Sequence, residues 1–199
     1  GPFGTRMLGD YGAEVIKVES PRQWDLLRSL GLIPRTTLRW YNMAAYFNHN
    51  NRDKYALALD LNDERGRDVL LELCRVSDVI VENFRSDVMD NLRLSYEDVR
   101  AVNPEIIYVS MPGHGKTGPE KDYVAYGSNV EQLAGIVSIS GYEGDEPMKT
   151  GFSYGDPMAG KKIVGGRAPP PPHRRRTPGG GVLPLPPPGH NKRFFGGAA

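Results

Sequence analysis

The sequence is poor in cysteine: Cys74 stands alone among 199 residues. That excludes an internal disulfide framework and a multi-cysteine zinc site, and it fits a reducing compartment with no structural metal. No apolar run approaches the roughly 18–20 residues that span a bilayer, and Gly1-Pro2-Phe3-Gly4 lacks the basic and apolar regions of a signal peptide. A cytoplasmic protein without a membrane role is expected. A basic folded surface is missing too. The net charge is +1, yet residues 161–199 hold 8 of the 25 Lys and Arg and none of the 24 Asp and Glu, which leaves residues 1–160 acidic. An acidic body argues against nucleic-acid binding, which needs a basic stripe on the folded domain.

Residues 161–199 also lack any helical or strand period, and they contain 9 of the 17 Pro and 8 of the 24 Gly. Too little contiguous apolar surface is present to offset the entropy of ordering them, so a disordered tail is expected after a body at 1–160. APPPPHRRR (168–176) has the P-x-x-P spacing and flanking Arg of a polyproline ligand. The plainer alternative is a non-native end.

The body alternates strands with helices. EVIKVE (14–19) alternates branched and charged residues before Ser20-Pro21, and ALALDL (56–61) places Leu57, Leu59 and Leu61 on one face. A helix follows in NDERGRDVLLELCRVS, with Val69, Leu70, Leu73 and Cys74 at helical spacing. DVIVEN (78–83) is a continuous apolar run suited to burial on both faces. A short helix through Met89, a helix in SYEDVRAVN and a strand in IIYVSM (106–111) come next, and YGSNVEQLAGIVSIS predicts a helix with Val130, Leu133, Ala134 and Val137 on one side. This order predicts an α/β fold: a Rossmann-like parallel sheet flanked by helices, with ligands bound beyond the carboxyl ends of the strands.

The chemistry-bearing residues cluster at predicted strand ends: Glu19 with Arg22, Asp25 and Arg28; Asn50 to Lys54; Glu82 to Arg85; and Pro112 to Pro119. Guanidinium groups beside Asn suit phosphate oxygens. The glycines of GHGKTG, Gly113 and Gly115 among them, would let backbone N–H groups approach an anion or a thioester oxygen. This loop lacks the spacing of a Walker A loop. Cys74, on an apolar helix face without a nearby fixed cation, is expected in the core.

GPFGTRMLGDYGAEVIKVE, NNRDKYALALDL, the run from DVIVENFRSDV to IIYVSMPGHGKTGP, and GDPMAG (155–160) together resemble the family III CoA-transferases, relatives of formyl-CoA transferase, carnitine CoA-transferase and alpha-methylacyl-CoA racemase. The resemblance covers about residues 1–160, and HRRRT (173–177) is similar to a stretch that members carry further on. Members are about twice as long, so it implies an incomplete Rossmann-like large domain. It further implies an interlocked homodimer that moves coenzyme A between an acyl-CoA and a carboxylic acid. By the same resemblance, CoA contacts fall on Arg22, Arg28, Asn51, Arg52, Lys54, Asn83, Phe84 and Arg85, and Gly113 and Gly115 approach the ligand.

The family's transferases attack the thioester with an Asp in a Gly-Tyr-Asp motif, forming an acyl anhydride and then an enzyme-bound CoA thioester. The matching stretch is Ala125-Tyr126-Gly127, without that carboxylate. Glu131, one helical turn on, and Asp122, just before, are candidate substitutes. In the racemase branch a His and an Asp exchange the α-proton; Asp156 matches the Asp, while Tyr126 stands at the His position. Glu131 and Asp156 are therefore the candidate catalytic residues. Three functions stay open: CoA transfer, acyl-CoA racemisation, and CoA binding without catalysis.

Overall fold

The structure, a computed structural model, describes residues 1–30, 34–165 and 193–197. Its elements run α1 (Pro2–Asp10), β1 (Glu14–Glu19), α2 (Ala45–Asn51), β2 (Lys54–Ala58), α3 (Glu64–Arg75), β3 (Val79–Glu82), α4 (Val88–Asn91), α5 (Tyr96–Val102), β4 (Ile107–Ser110), α6 (Gly127–Leu133), α7 (Gly155–Gly165) and β5 (Arg193–Gly197). The sheet is parallel throughout, in the order β2-β1-β5-β3-β4. Parallel strands need crossovers, and the helices between them cover both faces.

Local chemistry sets the helix boundaries. Pro2 opens α1, where its missing N–H costs nothing. Asp63 caps α3 by accepting from Arg65 N at 3.0 Å. Ser95 and Asp98 form a reciprocal capping box at the start of α5.

Each face of the sheet has its own core. Val18 and Ile80 pack with Leu70 and Cys74 of α3, Met89, Leu94, Val99 and Ile106. Val15, Val79 and Val81 turn the other way, against Leu8 of α1 and Ile163 of α7. The period-2 geometry of a strand places Lys17 on the same face as Val15. There its ammonium meets Asp25 at 2.7 Å, with both side chains almost fully buried. Helices α1 and α7 cross closely: a Cβ on Gly4 would lie 2.8 Å from Gly160 O, and one on Gly160 would lie 2.8 Å from Gly4 N. Glycine at both positions is what lets the backbones meet.

Three expectations are corrected. The strand expected at 56–61 is β2, Lys54–Ala58. The helix expected through 126–140 ends at Leu133, and the chain turns at Gly135 with φ +74 before a single 3₁₀ turn at Val137–Ile139. Its buried residues are Gly127 and Glu131, while Leu133 is exposed, so the expected apolar stripe is not the buried one. The tail expectation changes at both ends. α7 continues past residue 160 to Gly165, and Arg193–Gly197 forms β5 between β1 and β3. A parallel slot with two flanking ladders supplies hydrogen bonds that the composition of the segment does not reveal. APPPPHRRR and HRRRT lie outside the described residues.

Candidate functional site

A cavity of about 500 Å³ lies beside edge strand β4 and beyond the carboxyl ends of β3 and β4, walled by the starts of α1, α6 and α7. Asn83, Ser110, Gly113, Tyr126, Gly127, Asp156 and Lys162 line it. The position follows from the parallel sheet, whose strands all deliver their following loops to this end.

Asp156 sits in the first turn of α7, where the helix dipole favours a carboxylate. Solvent reaches it through the cavity, but the concave wall crowds it. That partial desolvation raises its pKa; the amino terminus opposes the shift, and Glu131 adds to it. A Cβ built on Gly127 would lie 2.6 Å from Asp156 Oδ2, 2.8 Å from its Cγ and 2.6 Å from the Ser153 Cβ. Any side chain at 127 would thus claim the volume that Asp156 occupies.

Helix α6 begins at Gly127, so Glu131 follows one turn later on the same buried side, as the sequence predicts. Its carboxylate does not line the cavity. One oxygen accepts from Thr150 Oγ1 at 2.8 Å and the other from Gly155 N at 3.3 Å. Glu131 therefore satisfies an otherwise orphaned N–H at the start of α7 and holds that helix against α6. Asp122 lies outside the cavity lining as well, and accepts from Ser86 Oγ at 3.1 Å. His114 stands 3.6 Å from Glu120 and edge-on to Tyr123.

The structure divides the expected CoA contacts between the two ends of the sheet. Asn51, Arg52 and Lys54 stand at the amino end of β2, because Lys54 is level with Val15 near the start of β1. Arg52 there makes a paired contact with Asp10, at 2.8 and 2.7 Å. Lys54 Nζ turns inward to Pro2 O, Asn50 O and Asn51 Oδ1, all within 3.0 Å. Burial, helped by the nearby Lys17 and Arg6 and only partly opposed by Asp25, pulls its pKa down to about 7. These three residues tie α1, α2 and β2 together, and the Lys54 ammonium reaches Pro2, next to the Gly1 that lines the cavity.

At the carboxyl end, Arg28 is fixed by Glu19 at 2.7 Å and stacks 3.7 Å from the Phe47 ring centroid. Arg22 and Arg85 are more exposed and pair with Asp60 and Asp87. Such exposed pairs are weak and exchange readily for another anion. Asn83 Oδ1 is buried at the cavity wall without a hydrogen-bond partner among the described residues. Phe84 packs against the α3 side of the core. Gly113 lines the cavity, and a Cβ there would collide with Ala125; Gly115 has φ +81 and open space around it. Cys74 is fully buried, and desolvation pushes its thiol up to about 11. Lys162 was missed by the sequence reading because it falls beyond the boundary set at 160. Its signal was the helical continuation of GDPMAG into KKIV.

The model of CoA-transferase family III matches residues 1–181. The chain belongs to that family. The match runs past the 160 at which the motif resemblance stops. The chain is similar to an acetyl-CoA:oxalate CoA-transferase of Acetobacter aceti, with 40% identity over 151 residues, 76% of this chain and 37% of that protein. It is also similar to a succinate–glutarate CoA-transferase of Agrobacterium fabrum, with 38% identity, covering 80% of this chain and 40% of that protein. Among solved structures, it resembles a CaiB/BaiF family protein from Brucella suis with TM-score 0.70 and 33% identity, covering 82% of this chain and 44% of that one. A hypothetical protein from Mycobacterium tuberculosis gives TM-score 0.66 and 28% identity, covering 82% and 45%. The chain thus spans about 40% of the length of these curated relatives. This family III CoA-transferase sequence has, among its described residues, no helix long and apolar enough to cross a membrane.

Proposed function

We propose that the protein transfers coenzyme A between an acyl-CoA and a carboxylic acid, with the acyl thioester held in the cavity beyond β3 and β4. The observation that carries this reading is the cavity itself, which is large enough for a thioester and presents a solvent-reachable carboxylate at a helix start. CoA is held by the carboxyl-end loops, where Arg22 and Arg85 exchange their carboxylate partners for phosphates and Asn83 supplies a polar contact at the wall. Lys162 gives the cavity a cation for the acceptor's carboxylate. The relatives named above act on oxalate, succinate and glutarate, which makes small dicarboxylic acids the first acceptors to try. A homodimer fits this reading, since Tyr123, Val124, Leu133, Ile139, Tyr142 and Phe152 leave an apolar surface exposed along one stretch of chain.

Incubation of acetyl-CoA or succinyl-CoA with isotope-labelled oxalate or glutarate tests the proposal. Labelled acyl-CoA is expected, and hydrolysis alone would refute it. Asp156 also favours a second reading, α-proton exchange, which deuterium incorporation at the α-carbon of a branched acyl-CoA would reveal.

A further inference from the structure

The chain enters α7 through a strained turn. Ser153 has φ +52, a left-handed conformation that is costly for a residue with a side chain, and it stands just before the helix that carries Asp156. Its carbonyl accepts from the Asp156 N–H at 3.0 Å, so the conformation at 153 sets where Asp156 stands. Residues 141–149, which lead into the turn, are all exposed, and apolar packing does little to hold them. The grip on the turn is polar instead. Thr150 Oγ1 donates to one oxygen of Glu131 at 2.8 Å and accepts from the Tyr154 N–H at 3.4 Å, while the other Glu131 oxygen accepts from the Gly155 N–H at 3.3 Å. Both ends of the turn thus close on one carboxylate of α6. At this helix start Asp156 and Met158 donate to Ser153 O and Tyr154 O, and Pro157 has no N–H, which leaves the Gly155 donor to Glu131. A fully buried carboxylate is costly unless its oxygens are engaged, and here both are engaged on the turn.

Resting on the transfer reading, we infer that Glu131 and Thr150 are positioning residues: they latch the Thr150–Gly155 turn in its strained form and so hold the Asp156 carboxylate at the cavity wall. Neither lines the cavity; both act through the backbone of residues 153–155. The two halves of the latch do separable work. Thr150 fixes the turn by geometry alone. Glu131 fixes it and also adds a negative charge near Asp156, which makes that carboxyl hold its proton more tightly. Of the other titratable groups around Asp156, the amino group of Gly1 heads α1, Tyr46 stands on α2, Tyr126 precedes α6 and Lys162 lies on α7 itself. All four are untouched by substitutions at 131 and 150.

The full chain is assayed with succinyl-CoA and isotope-labelled glutarate, and the Asp156 carboxyl is titrated by carbon-13 NMR. Thr150→Val keeps the shape of the side chain but removes the hydroxyl, and it should lower kcat by about ten- to a hundredfold with KM for succinyl-CoA within about twofold. Thr150→Ser keeps the hydroxyl and should bring kcat back to within about threefold of the wild type. Glu131→Gln can keep both hydrogen bonds, because its amide oxygen accepts from Gly155 and its NH₂ donates to a reversed Thr150 hydroxyl. It removes the charge, so Asp156 should titrate at lower pH than in the wild type. Unchanged kcat in Thr150→Val, a loss in Thr150→Ser as large as in Thr150→Val, or an Asp156 titration that Glu131→Gln does not move would each overturn the latch. A wild-type chain that gives no transfer, with the titration displaced as expected, would overturn the transfer reading and leave the latch standing.

Discussion

On the face covered by α3, α4 and α5, the sheet meets Leu70, Cys74, Met89, Leu94, Val99 and Ile106. On the face covered by α1, α2 and α7, it meets Lys17, Asp25, Arg6, Asn50 and Lys54 as well as apolar side chains, and it borders the cavity. The same strands supply both faces in alternation, so the contrast is written at the level of single residues: Ile16 and Val18 look one way, Val15 and Lys17 the other. The apolar face is held by area and packing, which are non-directional and tolerant of small changes in shape. The polar face is held by specific pairs whose desolvation must be offset one group at a time. Its geometry is therefore fixed more sharply, as the wall of a cavity requires.

The largest effect is expected from breaking a pair on the polar face. Asp25→Ala leaves Lys17 charged, buried and unpaired, and should lower unfolding free energy by about 3–5 kcal/mol, measured by urea denaturation. Replacing both partners, with Lys17→Met and Asp25→Leu, should cost far less. A double variant as unstable as the single one would show that the two faces do not differ in this way. On the apolar face, Leu94→Ala should cost about 2–5 kcal/mol through the cavity it leaves, and no compensating polar substitution should recover it.

Lys54→Met sharpens the comparison at the amino end of β2. It orphans the acceptors at Pro2, Asn50 and Asn51 and should cost about 1–3 kcal/mol of stability, with CoA affinity unchanged by calorimetry. A loss of CoA affinity without a change in melting temperature would return Lys54 to the binding site.

The smallest effect concerns Glu82, the charged exception on the α3 face. Burial raises its pKa, opposed by the hydrogen bond it accepts from the Phe84 N–H at 2.9 Å. The folded state thus holds this proton more tightly than the unfolded chain does. Stability falls as pH rises from the ordinary glutamate range through the raised folded value, and the cost stays constant above it. Glu82→Gln should therefore raise the melting temperature at neutral pH, with the gain vanishing in acid. A gain that persists in acid would assign the effect to something other than ionisation.

Much of this was legible in the sequence. β1, β3, β4, α3 and α5 follow from alternation, apolar runs, helical spacing and capping residues that act locally. α1 and α2 were not legible as helices. The first is interrupted by Gly4 and Gly9, and the second is mostly polar, so each depends on tertiary contacts. β5 was illegible because a strand slot between two others is a property of the sheet, not of Arg193–Gly197. For the site, the carboxyl-end loops and Asp156 were within reach. Asn51, Arg52 and Lys54 sit at the amino end of β2, because residues that precede a parallel strand lie at the end opposite its following loop, a rule the sequence already allowed. The inward turn of Glu131 was not readable, since Thr150 and Gly155 meet it only in space.

The crossing of Gly4 over Gly160 brings the site's wall into the question of folding order. It joins the first turn of the first helix to a helix that begins at residue 155, among the longest sequence separations in the described chain. Contacts of such separation cost loop-closure entropy and form late, after locally connected units such as β3-α4-α5-β4 have assembled. The same contacts open first when few apolar groups guard them. Under gentle denaturation the chain should thus pass through a condition in which the sheet still gives its far-ultraviolet signal while the cavity has come apart. In that condition a molecule that looks folded to spectroscopy no longer holds Asp156, Lys162 and the strand-end loops in one place.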